Sequence, residues 1–354
     1  MALPTEPIGS IPRPGYLIEA GAALAEGRIA RSEYERLAGE AVRDTVERFE
    51  ATGSPVITDG EQTKPSFATY PLHGLTNVEP GGVTIEFADG HTRQLPRLTR
   101  GPFRYATYAS TYLRVARRYT ATPLKQAVIS ASALSLLYPP EPLPGYSREE
   151  FFDDLVREAE TDICLALDAG AHCVQIDFTE ARLAVKLDPS LNLLREFVAL
   201  NNRVLSRVRR DDRRRIGIHT CPGGDQDSTH SADVDYAVLL PWLFELRAAS
   251  FYVQLSSEAD RRRVLRVIRD TLRPSQRVFV GVTDPIAARI ETADQVRDRV
   301  LEAAEYIPLN QLGTTDDCGF SPFGDDESTS RDTAFAKIRA RVEGTALASR
   351  VLQA

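Results

Sequence analysis

Residues 147–178 read SREEFFDDLVREAETDICLALDAGAHCVQIDF and carry two successive patterns of different period. Over residues 147–169, apolar side chains recur at spacings of three and four, which predicts an amphipathic helix. The run at 173–178 is short and rich in β-forming residues, which predicts a strand. The stretch therefore predicts one helix–strand unit of an α/β fold.

The same alternation extends in both directions and predicts eight strands. They are expected at residues 8–10, 55–61, 126–131, 173–178, 215–220, 251–255, 278–284 and 312–318. Helices are predicted between most of them, at residues 32–52, 147–169, 192–208, 233–246, 259–272 and 293–306. Repeated strand–helix units imply a parallel sheet, and eight units close most economically into a (β/α)8 TIM barrel. We therefore predict an α/β fold with one barrel domain over residues 1–354.

One segment breaks this rhythm. Residues 83–95 read VTIEFADGHTRQL and alternate in polarity on either side of Asp89 and Gly90. The pattern predicts a β-hairpin with a type I′ turn, inserted after the second strand as an excursion over about residues 78–98.

The overall composition narrows the class of partner. The chain has 354 residues, with 43 Lys and Arg against 50 Asp and Glu, for a net charge of −7. This acidic balance argues against a general nucleic-acid binder and favours small-molecule substrates. The most apolar run, residues 236–244, is interrupted by Pro241 and is too short to span a membrane. With no secretory signal at residues 1–9, a cytoplasmic protein without a membrane partner is expected, and a homo-oligomer is left open.

Candidate catalytic residues lie where the predicted strands end, because barrels of this type place their active sites at the C-terminal ends of the strands. Almost every such end carries a polar or nucleophilic side chain. These are Ser10, Asp59, Glu61, Ser130, Asp177, His219, Cys221, Gln254, Asp284, Asp316, Asp317 and Cys318.

Three of these residues predict a metal site. His219 and Cys221 are two residues apart, and the strand period of two points both side chains into the barrel mouth. Imidazole nitrogen and thiolate sulfur are ligands that suit Zn²⁺, and Cys318 supplies a second thiolate from the eighth strand. Cys164 and Cys173 are instead expected to be small core residues. His230 is interpreted as a solvated loop residue, with contact to substrate as the less favoured alternative.

Six short motifs carry a resemblance to a known family. They are Ile8-Gly9-Ser10 with Pro12-Arg13, Asp59-Gly60-Glu61, Gln175-Ile176-Asp177, His219-Thr220-Cys221, Thr283-Asp284-Pro285 with Arg289-Ile290-Glu291, and Asp317-Cys318-Gly319. In this order, over residues 8–319, the chain resembles the catalytic barrel of cobalamin-independent methionine synthases and their relatives, which include the epoxyalkane:coenzyme M transferases.

The resemblance implies a zinc ion on His219, Cys221 and Cys318, which binds an acceptor thiol as its thiolate for alkylation at sulfur. It implies that Ser10, Glu61 and Asp177 line the acceptor site, where the two carboxylates hold the amino group of homocysteine. Further candidates are Asp177 and Asp284 as catalytic carboxylates. Gln254 and Asp317 are further candidates for substrate binding. The partners are then a small-molecule thiol and an alkyl donor.

Two departures from the family pattern shape the expectations. Full-length methionine synthases of this type have a second, N-terminal barrel that helps to bind polyglutamyl folate, and 354 residues leave no room for it. A folate donor is therefore disfavoured. Many relatives also have a glutamate as fourth zinc ligand where this chain has Gln254, so we expect three protein ligands and one open position.

The leading hypothesis is a zinc-dependent S-alkyltransferase, with methyl transfer to a homocysteine-like thiol placed ahead of an epoxide or another alkyl donor. A zinc hydrolase with Asp177 or Asp284 as base is the alternative from another class, but such sites favour histidine and carboxylate ligands over two thiolates. A non-catalytic barrel that binds a small thiol is the third hypothesis.

Overall fold

The computed structural model describes residues 2–353. The strands in this range are β1 (Val78–Glu79), β2 (Thr84–Glu86), β3 (Thr92–Gln94), β4 (Arg97–Leu98), β5 (Lys125–Ile129), β6 (Cys173–Asp177), β7 (Ile216–Thr220), β8 (Gly224–Asp225), β9 (Ser228–Thr229), β10 (Ser250–Val253), β11 (Arg277–Thr283) and β12 (Leu312–Asp316). The α-helices are α1 (Gly15–Ala25), α2 (Arg31–Glu50), α3 (Ser110–Ala116), α4 (Ala131–Ser135), α5 (Arg148–Asp168), α6 (Glu180–Leu187), α7 (Asn192–Arg207), α8 (Tyr236–Leu243), α9 (Arg261–Thr271), α10 (Ala293–Ala304) and α11 (Arg331–Gln353). None of these helices has the length and apolar content that a membrane crossing requires.

Six of the strands form one parallel sheet in the order β12-β11-β10-β7-β6-β5. These are six of the eight predicted strands, and the predicted α/β class is confirmed. The predicted strand at residues 8–10 is not formed, and a single parallel bridge from Thr5 to Thr314 lies just before it. The second predicted strand, at residues 55–61, is reduced to one parallel bridge from Ile57 to Leu124. The two bridges flank the two edges of the sheet. The backbone N–H of Ile11 donates to the carbonyl of Gly60 at 3.0 Å, so these two flanking segments also contact each other.

The sheet is covered on both faces. Every residue of β5, β6, β7 and β12 is buried, as expected for parallel strands that pack between helices and a filled interior. Inside, the Tyr252 and Phe279 rings stack with their centroids 4.8 Å apart. A Cβ atom at Gly217 would lie 2.4 Å from the Tyr252 ring, so glycine is required there to make room for it.

The inserted segment pairs as two antiparallel ribbons, β2 with β3 and β1 with β4. The predicted type I′ turn is wrong. That turn needs positive φ at both central residues, whereas Gly90 (φ 90°) has positive φ and Asp89 does not. The N–H of Gly90 donates to the Phe87 carbonyl at 2.9 Å, and that of Phe87 to the His91 carbonyl at 3.0 Å. A longer loop with one left-handed glycine therefore joins the strands.

Helix α5 begins with a capping box. The Ser147 hydroxyl accepts from the N–H of Glu150, while the Glu150 carboxylate accepts from the N–H of Ser147 at 2.7 Å. Replacing Ser147 by alanine is expected to lower the free energy of unfolding by about 1 kcal/mol, because the N–H of Glu150 in the first helical turn loses its hydrogen-bond acceptor. Urea unfolding of this variant and of Ser147→Asp, which retains a cap, checks the expectation. Equal stability of the alanine variant and the original protein would contradict it.

Candidate metal centre

His219, Cys221 and Cys318 converge at one end of the sheet. His219 lies in β7, Cys221 follows that strand directly, and Cys318 follows β12. One ligand atom from each residue lies within 4.8 Å of the others, and all three side chains are buried. The two sulfur atoms are 3.0 Å apart, whereas a disulfide bond is about 2.05 Å long, so both cysteines are free thiols.

The arrangement fits a bound metal ion. His219 Nδ1 lies 3.3 Å from the carbonyl oxygen of Tyr252, and a donated proton there leaves the Nε2 lone pair free. Nε2 is buried and has no hydrogen-bond partner among residues 2–353. The hydrogen bond from Cys221, with His219 nearby, holds the pKa of Cys318 well below its usual range. One nitrogen without a partner and a sulfur pair that favours a thiolate form a donor set suited to a soft divalent cation.

A cavity of about 620 Å³ opens in front of these three residues. It is lined by six of the predicted site residues, Ser10, Glu61, Asp177, His219, Cys221 and Cys318. Most of its remaining surface is apolar and includes Phe67, Ile129, Leu136 and Phe323. The structure therefore brings the predicted metal ligands and the predicted acceptor residues into one cavity.

The two carboxylates predicted to bind the acceptor, Glu61 and Asp177, differ in charge balance. Glu61 lies in left-handed backbone (φ 55°), and its Oε1 accepts from the Lys64 ammonium at 2.8 Å, with both side chains buried. Asp177 Oδ1 accepts only the neutral amide of Gln175 at 2.7 Å. Burial raises the pKa of Asp177 to about 6, so it carries its charge at neutral pH. Glu61 is already paired with a cation, whereas Asp177 is available for one.

Arg13 and Ser10 connect distant parts of the chain around the cavity. The Arg13 guanidinium donates to the carbonyls of Ser321 at 2.6 Å and of Glu61 at 2.7 Å. Ser10 Oγ accepts from the N–H of Ser321 at 3.2 Å. A Cβ atom at Gly319 would lie 2.2 Å from Ser10 Oγ, so the segment next to Cys318 packs directly against Ser10.

Six of the twelve strand-end candidates do not line this cavity: Asp59, Ser130, Gln254, Asp284, Asp316 and Asp317. Gln254, Asp284 and Asp317 line a neighbouring cavity of about 480 Å³, to which Cys318 also contributes. The Gln254 amide accepts from Arg182 at 3.2 Å and donates to Ser257 at 2.6 Å.

The carboxylates of Asp317 and Asp284 accept hydrogen bonds from backbone N–H groups. Asp317 accepts the N–H groups of Leu255, Ser256 and Ser257 at 2.7–2.9 Å. Asp284 accepts the N–H of Ile286 at 3.0 Å. The hydrogen bonds of Asp317 position the loop after β10, so its carboxylate is engaged within the protein.

The inserted hairpin forms one wall of the cavity through Ile85 and Phe87. Arg93 forms ion pairs with Asp225 at 2.5 Å and with Asp325 at 2.9 Å. Asp225 lies in β8, in the segment that follows Cys221, and Asp325 lies in the segment that follows Cys318. The hairpin is therefore tied to the segments that follow both cysteines.

Two further titratable residues of the cavity were not among the predicted site residues. His230 is buried and lines the cavity beside Phe87, so its interpretation as a solvated residue is wrong. Burial lowers its pKa to about 4. Glu180, the first residue of α6, is also buried in the cavity wall. It lies three residues beyond the strand that ends at Asp177, so the signal from strand ends alone could not find it.

Comparison with known proteins gives a consistent picture. The model of the family described as "Cobalamin-independent synthase, Catalytic domain" matches residues 3–340. A methionine synthase of Saccharolobus solfataricus is 20% identical over 350 residues, which are 97% of this chain and 94% of that protein. A methionine synthase of Saccharolobus islandicus (strain Y.G.57.14) is 22% identical over 352 residues, with the same coverage of 97% and 94%.

Two solved structures share the fold. A B12-independent methionine synthase from Shewanella sp. W3-18-1, in complex with selenomethionine, superposes with a TM-score of 0.77 at 19% identity and covers 100% of this chain and 99% of its own. A putative vitamin-B12 independent methionine synthase from Listeria monocytogenes gives a TM-score of 0.73 at 22% identity and covers 98% of both chains.

Proposed function

The chain belongs to the family of cobalamin-independent synthase catalytic domains, and on that premise we propose that it is a zinc-dependent S-alkyltransferase which transfers a methyl group to a thiol such as homocysteine. Relatives named methionine synthase support the transfer of a methyl or alkyl group. The observation that carries the thiol and zinc part is the cluster of His219, Cys221 and Cys318 in the cavity wall.

The donor set of the cluster supports zinc as the metal. One imidazole nitrogen and two thiolate sulfurs are ligands that zinc accepts, and three protein ligands leave the fourth position for a substrate. When bound, zinc would hold the acceptor thiol as its thiolate, which is the nucleophilic form. The two protein thiolates balance the charge of the ion. They also disfavour the hydrolase alternative, whose sites rely on histidine and carboxylate ligands.

The carboxylates of the cavity support an acceptor that has an ammonium group. Lys64 neutralises Glu61, so Asp177 leaves the pair with a net negative charge. This charge attracts the amino group of homocysteine and repels the sulfonate of a coenzyme M-type thiol. Ser10 lies in the same wall and offers its hydroxyl. An amino-acid thiol is therefore favoured over the sulfonate thiol of the epoxyalkane alternative.

Metal analysis of the purified protein, followed by zinc-edge absorption spectroscopy with and without L-homocysteine, tests the proposal. We expect one zinc per chain and one additional sulfur neighbour when the thiol is added. Protein isolated from zinc-supplemented medium without bound zinc would refute the metal-dependent function and favour a thiol-binding barrel without catalysis. A zinc site whose neighbours do not change with thiol would favour the hydrolase.

A polyglutamate tail on a folate donor is expected to bring no benefit. Within the described chain, the basic side chains that line the cavity are Arg13, Lys64 and Arg93, and each is already engaged by backbone carbonyls or by carboxylates. None is free to pair with the anionic tail. Comparing kcat/KM for methyltetrahydrofolate with one and with three glutamates checks this. A tenfold gain with the longer tail, about 1.4 kcal/mol, would contradict it.

A further inference from the structure

Glu180 has a carboxyl group in the cavity wall, and the proposed alkyl transfer to the thiol assigns it no role. Ser130 donates to its Oε1 at 2.5 Å, and Ser132 donates to the same oxygen. The Asn201 amide in turn donates to Ser132 Oγ at 2.7 Å. Oε1 is thus held by a short network, whereas Oε2 is buried and has no hydrogen-bond partner among residues 2–353.

Such an oxygen calls for a partner, because native structures rarely leave a buried polar atom without a hydrogen bond. Glu180 lines the same cavity as the His219, Cys221 and Cys318 cluster. Under the function proposed above, this cavity receives the substrates. A substrate atom that meets Oε2 would complete the hydrogen bonding of the carboxyl group. The two serines fix the group in place, which suits a carboxyl that must meet a reacting atom.

The other titratable groups that line the cavity have different tasks. Glu61 and Lys64 form an ion pair, Arg93 pairs with Asp225 and Asp325, and Arg13 binds backbone carbonyls. The Tyr34 phenol has a pKa raised by burial, and the lowered pKa of His230 keeps its ring neutral. His219 and the two cysteines form the metal cluster. Asp177 faces Glu180 as a negative charge, and burial raises the pKa of Glu180 to about 7. Glu180 can therefore hold or release a proton near neutral pH without breaking an ion pair.

We propose that Glu180 is the catalytic acid of the transfer: its carboxyl takes up the proton that the acceptor thiol loses and delivers it to the leaving atom of the alkyl donor. This inference rests on the S-alkyltransferase function proposed above. In the step, a bond forms between the thiol sulfur and the alkyl carbon, and the bond from that carbon to the leaving atom breaks. The electron pair of the broken bond stays on the leaving atom, which takes the proton from Glu180. The thiol proton restores the acid, so no other reactant is needed.

An acid at this place defines the class of donor. An oxygen or nitrogen leaving atom, such as the ring oxygen of an epoxide or the oxygen of an alkyl ether, needs a proton as it departs. A sulfonium or an alkyl-cobalt compound leaves without one. Most of the cavity lining is apolar and includes Ile129, Leu136 and Leu183. The donor is therefore an uncharged, carbon-rich molecule with its alkyl group on oxygen or nitrogen.

Proton release on thiol binding gives a test that needs no donor. Zinc-loaded protein is titrated calorimetrically with L-homocysteine at pH 8 in buffers of different ionisation enthalpy. At this pH the Glu180 carboxyl is mostly ionised, and the negative charge of a bound thiolate raises its affinity for a proton. The unmodified protein is expected to release only a fraction of a proton per thiol bound, and Glu180→Gln close to one. Equal release by the two proteins would overturn the proposal.

Two alkylating probes test the delivery step. The complex with L-homocysteine is reacted with 1,2-epoxypropane, whose ring oxygen must be protonated, and with methyl iodide, whose leaving group needs no proton. Loss of a positioned acid should slow epoxide opening in Glu180→Gln by about 100-fold or more and leave the methyl iodide rate unchanged. Parallel losses with both probes would overturn the acid role. Reaction of the unmodified protein with methyl iodide but not with the epoxide would overturn the donor class.

Glu158→Gln provides a matched control. Glu158 is buried on α5, where it accepts from the Tyr108 hydroxyl at 2.6 Å, and it does not line the cavity. Its replacement should leave the ratio of the two alkylation rates unchanged. If Glu180→Gln does not fold, Glu180→Asp, which draws the carboxyl back by one methylene, should slow epoxide opening selectively. Failure of thiol binding to zinc in the unmodified protein would instead count against the S-alkyltransferase function itself.

Discussion

Replacing Cys221 or Cys318 by serine is expected to abolish both zinc binding and alkyl transfer. Each cysteine supplies a sulfur to a cluster of three ligands, and a serine hydroxyl remains protonated and is a poor zinc ligand at neutral pH. Loss of a partner that only hydrogen-bonds a zinc ligand lowers metal affinity by about 10- to 100-fold, so loss of a ligand should exceed that range. Metal content after dialysis and the rate of homocysteine methylation measure the two effects.

Cys164→Ser is the matched control for these variants. Cys164 lies on α5, outside the cavity, and is half-buried, so the same chemical change there should alter neither the zinc content nor the rate. Full zinc occupancy in Cys318→Ser would exclude Cys318 as a ligand.

Replacing Asp177 by asparagine is expected to weaken L-homocysteine binding by about 10- to 100-fold, because a hydrogen bond to a charged partner contributes about 1.5–3 kcal/mol. Zinc should stay bound, since the cluster does not include Asp177. Compared with Asp177→Asn, Glu61→Gln should have a smaller effect on thiol affinity, because Glu61 is already paired with Lys64. It should have a larger effect on the free energy of unfolding, because it leaves the buried Lys64 ammonium without its carboxylate. Calorimetric thiol titration and urea unfolding of both variants separate the two effects.

A thiol without an amino group provides the control for this prediction. The affinity for 2-mercaptoethanesulfonate should not fall in Asp177→Asn, because removing a negative charge reduces repulsion of the sulfonate. If the unmodified protein binds this sulfonate thiol more tightly than L-homocysteine, the amino-acid acceptor is excluded and the coenzyme M-type reaction is favoured.

The parts of the fold that could be predicted are those with clear periodicity. Buried strands such as β6 and β7 appear as short runs rich in β-forming residues, and α5 has regular apolar spacing with a capping box. Helix α11 was outside the predicted set because Lys337 and Arg341 lie on its buried side, where they pair with Glu291 and Asp316. Buried charges of this kind remove the apolar stripe by which a helix is recognised.

The residues of the candidate site also fall into those that the sequence pattern could predict and those that it could not. Cys221 and Cys318 could be predicted because strand ends meet at one edge of a parallel sheet, whatever the details of the loops. Gln254 and Asp317 also lie near strand ends, but both line the neighbouring cavity. Gln254 is held there by a hydrogen bond from Arg182, and Asp317 by backbone N–H groups of the loop after β10. Local periodicity contains no information on such loop contacts.

The Arg13 guanidinium joins segments that are 308 positions apart in sequence, and this separation bears on how the protein is made. During synthesis, His219 and Cys221 leave the ribosome almost a hundred residues before Cys318. Until then, the nascent chain has two of the three proposed metal ligands, and Arg13 lacks the carbonyls of Ser321 and Phe323. Contacts over such distances form late, because the long intervening chain must first be ordered. The cluster and its Arg13 support are therefore completed only after translation has passed residue 323, and a truncated chain that ends before Cys318 would lack one of the three side chains of the candidate metal site.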